Sequence, residues 1–308
     1  MTQEAESKIT VFTVSWYSAQ LMEKLFINLN EKAQFPKTIR YLIIDNTAGK
    51  DSSLDHLKQM LLPIDICTFD PRGKTGSFAH AAALNFGLGQ IQTDFALSID
   101  PDVYVFKKNW DTFATYLIAK QGYSAIGTTY PNWQLGKYHN FPNPVFCFFR
   151  TEDFRSINAD WTAYSKSPIE DFVNLIRRQI VRLGGLINRQ RYQSSAALRK
   201  LSNSLENVVG ICSHDTGYKI AELAQKGHLK AALFKAVSPD DNVSGSTFNC
   251  FRELASQFEL YYYENEPILT HKYSTASRIW RTSRGSDTDF WQQCVEKFQK
   301  ELNQIQQG

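Results

Sequence analysis

The chain has 308 residues, 43% of them hydrophobic and 21% charged, with a formal net charge of +3. This is the balance of a globular chain with a real core, in one large domain or two small ones, and the charge is too small to call for nucleic acid as a partner. Its five cysteines (Cys67, Cys147, Cys212, Cys250 and Cys294) are odd in number and form no CxxC pair; this argues against a disulfide framework or zinc site and for reduced thiols in a cytoplasmic protein. No basic-then-apolar opening and no run of about 18 apolar residues is present, so neither an export signal nor a membrane span is expected.

The first predicted element is a strand over "ITVFTV" (9–14), followed by a helix in which Leu21, Leu25 and Leu29 recur at helical spacing behind Ser18 as the candidate cap. The unit repeats. "RYLIID" (40–45) precedes a helix from about Ser52, "IDICTF" (64–69) precedes a helix from about Ser77, and "DFALSI" (94–99) follows. Strands alternating with helices predict a mostly parallel, doubly wound α/β sheet, and such sheets take ligands at the carboxyl ends of their strands. Ser15, Asp45, Asp70, Asp100 and Asp102 all fall at those ends, where a nucleotide is the natural tenant.

Two nucleotide chemistries are disfavoured. The turn "SWYSAQ" after the first strand lacks the glycines that let a dinucleotide's pyrophosphate approach the backbone. "RGKTGS" (72–77) resembles the end of a phosphate-binding loop, but Thr68 stands where its first glycine is required.

The fourth strand ends in Asp100-Pro101-Asp102. Two carboxylates side by side repel, and a hard divalent cation such as Mn2+ or Mg2+ would cancel that repulsion while keeping positions open for diphosphate oxygens. The alternative is an Asp-Pro-Asp turn with no ligand.

These segments together resemble the family 2 glycosyltransferases of GT-A fold, including rhamnosyltransferase-like members. The carriers are "TVSWYSAQLMEKLFINL", "LIIDNTAGKDSS", "GSFAHAAALNFGL" and "ALSIDPDVYV", in the family's order across residues 9–106. The resemblance implies a nucleotide-sugar donor bound near Val14, Ser15, Asp45, Arg72 and Asp100, with Asp45 at the base, Asp100 near the ribose or metal, and Asp102 ligating the metal. Trp16-Tyr17 replaces the family's Tyr-Asn turn. "SHDTGYKIAELAQKGH" (213–228) resembles the family's acidic motif, with His214 in place of its glutamate and Asp215 in place of its aspartate. The resemblance makes Asp215 the general base; a helix-capping carboxylate is the other reading. His271 in "ILTHKYSTASR" matches the late histidine that some members use as a third metal ligand, against a half-buried, hydrogen-bonded histidine. The cluster Lys272, Arg278, Arg281 and Arg284 either holds the diphosphate or forms a solvated basic face.

Two further stretches bear on the acceptor. In residues 130–150, Trp133, Tyr138 and His139 are candidates to line a sugar pocket, whereas Phe146, Phe148 and Phe149 read as core. Residues 177–205 hold seven Arg and Lys and no acidic residue, with Val173, Ile176, Ile180, Leu183 and Ile187 at helical spacing and an interruption at Gly184-Gly185. Either residues 177–200 rest on an anionic membrane surface, making the protein peripheral at its inner face, or the helix is solvated and packs on the core by that apolar stripe.

The expected organisation is a GT-A domain over 1–275, with a nucleotide-sugar half (1–150) and an acceptor half (151–275), then a helical tail (276–308). The expected activity is metal-dependent, inverting transfer of a hexose or deoxyhexose from a nucleotide-diphosphate sugar to a glycan, lipid-linked or other hydroxyl acceptor, as in polysaccharide biosynthesis. A nucleotidyltransferase and a noncatalytic nucleotide-sugar-binding protein of the same fold are the rivals.

Overall fold

The computed structural model describes residues 8–163, 167–273 and 287–305. The chain divides into two compact units assembled from non-contiguous segments, Met1–Thr128, Asn140–Tyr164 and Asp215–Leu233 in the first, and Thr129–His139, Ser165–His214 and Phe234–Gly308 in the second.

The first unit opens with β1 (Ile9–Ser15) and α1 (Ala19–Lys32), then β2 (Ile39–Asp45), β3 (Ile64–Thr68), α2 (Gly76–Gln90) and β4 (Phe95–Ile99). β1 pairs in parallel with both β2 and β4, and β2 pairs in parallel with β3. Strands β1 and β2 are almost wholly buried because helices cover both faces of a parallel sheet, so their β-branched and aromatic residues run continuously instead of alternating. The short strand β5 (Val103–Val105), helix α3 (Trp110–Gln121) and strands β6 (Ala125–Thr128) and β7 (Phe146–Arg150) follow. β7 runs antiparallel to β4 and β6 antiparallel to β7, giving the order β3-β2-β1-β4-β7-β6. The fold is therefore α/β with a mixed sheet, parallel where the first four strands lie and antiparallel beyond.

Phe146, Phe148 and Phe149 of β7 are core, as their apolar run predicts. Phe149 stacks on Phe154 of α4 (Thr151–Ser156) with centroids 3.7 Å apart. The expected helix from Ser52 forms as a 3-10 helix, Ser52–Gln59, behind Asp51. Ser18 holds the N-cap position of α1, but its side chain makes no capping bond; its hydroxyl accepts from the Trp16 N–H at 3.1 Å.

The second unit holds α5 (Pro168–Val181), α6 (Arg189–Ser194) and α7 (Ala196–Val209). The chain returns to the first unit for α8 (Tyr218–Lys226), and β8 (Ala231–Ala236) leads back into the second. There β8, β9 (Glu259–Tyr263) and β10 (Glu266–His271) pair antiparallel, flanked by α9 (Asn249–Gln257) and α10 (Thr288–Ile305), which pack on each other. The break between α5 and α6 falls at Gly184, whose φ of 65° lies in the left-handed region that glycine adopts at no steric cost.

Trp133 and Tyr138 are buried in the second unit, so they are core residues and do not line an open sugar pocket. The Arg189 guanidinium lies 4.7 Å from the Trp133 ring and donates to the carbonyls of Ala255 and Phe258 at the end of α9. Burial pulls its pKa down to about 10, offset in part by Glu259. Arg189 thus leaves the basic surface proposed for 177–200 and serves as an internal helix cap.

Candidate active site

The parallel strands of the first unit deliver polar side chains to their carboxyl edge. β1 ends at Ser15, which is fully buried, with its carbonyl accepting from Asn46 N–H at 3.0 Å. Val14 is buried beside it. The next two residues are turned outward: Trp16 is 61% exposed and Tyr17 58%, their rings edge to face at 5.6 Å. Tyr17 has φ 52°, and that left-handed turn aims the pair away from the core.

Asp45 closes β2 and is buried. Its carboxylate accepts from the Thr47 N–H (2.9 Å), the Thr47 hydroxyl (2.6 Å) and the Gly49 N–H (3.0 Å). Asp45 therefore organises its own turn, an Asx arrangement extended by one residue. After β3, Asp70 accepts from the Arg72 N–H at 2.8 Å, and Arg72 (φ 51°) with Gly73 (φ 76°) makes an exposed left-handed turn.

The Asp-Pro-Asp turn follows β4. The Asp100 N–H donates to the Val145 carbonyl at 3.1 Å, which fixes the start of the turn. Downstream, buried Asn28 on α1 clamps the Val105 backbone, donating from Nδ2 to its carbonyl (3.1 Å) and accepting its N–H (2.8 Å). Asp102 sits between these two fixings and is only 6% exposed. A carboxylate that deeply placed needs compensation, and an oxygen-seeking cation is one source of it.

Helix α2 links this turn to the acidic motif. His80 Nε2 lies 3.6 Å from Asp100 Oδ1. One turn earlier, the Ser77 hydroxyl donates to the Asp215 carboxylate, and the Thr216 hydroxyl donates to the Ser77 carbonyl at 3.2 Å. Ser77 and His80 are three residues apart and share one face of the helix, so Asp215 and Asp100 lie along the same side of the first turns of α2. Asp215 is not the cap of α8: Gly217 holds that position, and Asp215 also accepts from its neighbour's N–H at 2.8 Å. The helix behind it ends in Lys226, with Gly227 at its C-cap. None of Ser77, His80 or Asn28 was selected from the sequence.

In the second unit, His271 is the last residue of β10 and is buried. Its Nδ1 is 2.9 Å from Glu259 Oε2. The same carboxylate accepts from the Tyr261 hydroxyl (2.8 Å) and from Gln134 Nε2 (2.9 Å). Burial, then the Glu259 charge, pushes the Tyr261 phenol well above its ordinary pKa, so it stays a donor. A carboxylate surrounded by donors calls for the Nδ1–H tautomer, which makes Nε2 the acceptor nitrogen of this ring. Lys272 donates to the Thr288 hydroxyl at 2.9 Å; Arg278, Arg281 and Arg284 lie outside the described residues. His139 contacts the Tyr130 carbonyl (2.8 Å) and Glu206 (3.4 Å) within the same unit.

No family model matches the chain, and no curated protein matches it. Among solved structures, it aligns with the mannosyltransferase PcManGT from Pyrobaculum calidifontis in complex with GDP-Man and Mn2+, at 16% identity over 50% of this chain and 47% of that one, with a TM-score of 0.39. TarS 1-349 from S. aureus in complex with UDP-GlcNAc aligns at 18% identity over 50% and 48%, with a TM-score of 0.39. TarS 1-349 in complex with UDP aligns at 17% over 65% and 75%, with a TM-score of 0.41. The chain thus spans about half the length of the first two.

Proposed function

We propose that this protein is a GT-A glycosyltransferase that moves a sugar from a nucleotide-diphosphate donor to a hydroxyl acceptor. The observation that carries the proposal is the face of α2 that holds Ser77 against Asp215 and His80 beside Asp100. A candidate base and a candidate metal carboxylate thereby share the carboxyl edge of a parallel sheet, where nucleotides bind. The four sequence segments that resemble family 2 enzymes support the same reading.

In this proposal Val14, Ser15, the turn held by Asp45, and Arg72 contact the donor, and the exposed Trp16 and Tyr17 rings offer faces for its base. Asp100 and Asp102 would hold Mn2+ or Mg2+ through their carboxylates, with the His271 imidazole as the third ligand that the resemblance implies. When bound, the cation supplies Lewis-acid stabilisation of the departing diphosphate. Asp215 takes the proton from the acceptor hydroxyl as that oxygen bonds to the anomeric carbon. The bond from that carbon to the diphosphate oxygen breaks with its electron pair, and the configuration inverts.

The test is donor binding and turnover across UDP-, GDP- and dTDP-sugars with Mn2+ or Mg2+, comparing the wild type with Asp102→Asn and Asp215→Asn. Metal-dependent use of one donor, lost in Asp102→Asn, is expected. In Asp215→Asn the donor should still bind while transfer falls by about 100-fold or more. Donor binding without turnover in any acceptor mixture would make the protein a nucleotide-sugar-binding module. Absence of donor binding with either metal would leave Asp100-Pro101-Asp102 as a turn.

A further inference from the structure

Helix α5 is built inside out. Ile169, Phe172, Val173, Ile176 and Ile180 recur at steps of three and four and so share one face, and all five are exposed, Ile169 by 77% and Phe172 by 62%. The side turned to the rest of the second unit carries buried Asn174 and Val181, with Arg177 and Arg178 half buried. Arg177 donates to the Asn174 side chain at 3.1 Å and to the Val209 carbonyl at the end of α7, and Arg178 to the Asn174 carbonyl at 3.4 Å. The helix therefore satisfies its polar groups within the chain and presents Val173, Ile176 and Ile180 of the stripe outward, while Leu183 and Ile187 beyond its end pack on the core beside Val181. On α7, which packs beside α5, Val208 is 86% exposed.

The surrounding charge selects the occupant. Residues 177–205 contain seven Arg and Lys and no acid. Arg177 and Arg189 are engaged inside the chain, whereas Arg191 and Lys200 are exposed. Glu170 and Asp171 sit in the first turn of α5, off the apolar stripe. A second copy docked about a two-fold axis would bring two basic surfaces together. A layer of anionic headgroups over acyl chains meets both features, since the stripe enters the acyl boundary while the basic side chains meet phosphate. Among the described residues no helix is long and apolar enough to cross a membrane. We infer that α5 lies in the surface plane of an anionic membrane, with Phe172 and Ile176 as its inserted anchors. This inference is independent of the transferase reading, because its readout is vesicle binding.

The full chain is sedimented with vesicles of phosphatidylcholine alone or mixed with phosphatidylglycerol. Binding to the anionic vesicles only, weakened by added salt, is the expected result. Phe172→Glu and Ile176→Glu should each weaken it about tenfold with an unchanged melting curve, because neither side chain is buried. Lys200→Glu, off the stripe, should weaken it about fivefold. No binding to anionic vesicles at low salt overturns the inference. So does a dimer by light scattering that Ile176→Glu dissociates, since the stripe is then a contact between copies of this chain.

Discussion

Ser77 gives its hydroxyl hydrogen to the carboxylate of Asp215, 138 residues further along the chain. The bond fixes one oxygen of the proposed base against the first turn of α2, and the Thr216 hydroxyl on the Ser77 carbonyl locks the same junction from the other side. In the proposed mechanism Ser77 is a positioning residue. Ser77→Ala should lower kcat about tenfold at unchanged donor Kd, and Ser77→Thr should restore most of it. A merely structural role would lower the melting temperature and shift donor affinity together. Steady-state kinetics with calorimetric donor titration separate the two outcomes.

Glu259 gathers three donors, His271 Nδ1, the Tyr261 hydroxyl and Gln134 Nε2, in a buried site. A glutamine of the same shape offers one acceptor oxygen and sets its amide hydrogens against the others, so the imidazole loses its fixed tautomer and tilt. If His271 ligates the metal as proposed, Glu259→Gln weakens Mn2+ binding about 10- to 100-fold, read directly by the loss of the free-ion signal in electron paramagnetic resonance. Unchanged Mn2+ affinity in a folded Glu259→Gln protein would remove His271 from the ligand set.

Those two relationships mark the limit of what the sequence discloses. Strands β1 to β4 were legible because each is a local run of β-branched and aromatic residues, and their ends placed Ser15, Asp45 and Asp100 at one edge. Asp215 stands out through its resemblance to the acidic motif, but its partner Ser77 is one serine among many until the fold joins them. Glu259 and Asn28 are likewise polar residues whose importance lies in a distant partner. The α5 stripe stayed open between two readings for a different reason: helical periodicity shows which residues share a face and is silent about which face the chain covers. Trp133 and Tyr138 are rich in aromatic surface in the sequence, and only packing reveals that the surface is buried.

Asp160 ties its own loop to two helices of the first unit. It accepts from Asn85 of α2 (2.7 Å), from Lys219 of α8 (2.5 Å) and from Thr162, through its N–H (2.9 Å) and its hydroxyl (2.5 Å). Burial works to raise its pKa, but Lys219 and these hydrogen bonds together hold it down at about 2, against an ordinary 3.8. A carboxylate depressed in the folded state stabilises the fold fully above its unfolded pKa and loses that contribution as pH falls through its folded value. Asp160→Asn should therefore cost about 1 kcal/mol at neutral pH, allowing for solvent at a partly exposed pair. The gap between the two proteins should close from about pH 4 down to about pH 2. Thermal melts across that window check it, and a gap independent of pH would mean that the charge on Asp160 contributes nothing.

Gly127 in β6 pairs with Cys147 of β7, and it is glycine for a steric reason. A Cβ at this position would lie 1.9 Å from the Phe146 carbonyl oxygen, 2.9 Å from its carbon and 3.1 Å from the Cys147 Cα. All three are backbone atoms, so no side-chain rotation relieves the clash and the strand itself has to move. Gly127→Ala should destabilise the protein by about 3 kcal/mol, at the upper end of overpacking costs. Because β7 also pairs with β4, the shift should reach the strand that carries Asp100 and lower affinity for the proposed metal as well. Gly89→Ala is the control. Gly89 lies in α2 with open space around its Cβ position, and alanine there should stabilise the helix by about 0.5 to 1 kcal/mol. Urea midpoints for the two variants, one moving down and the other up, separate a close backbone approach from a general intolerance of glycine replacement.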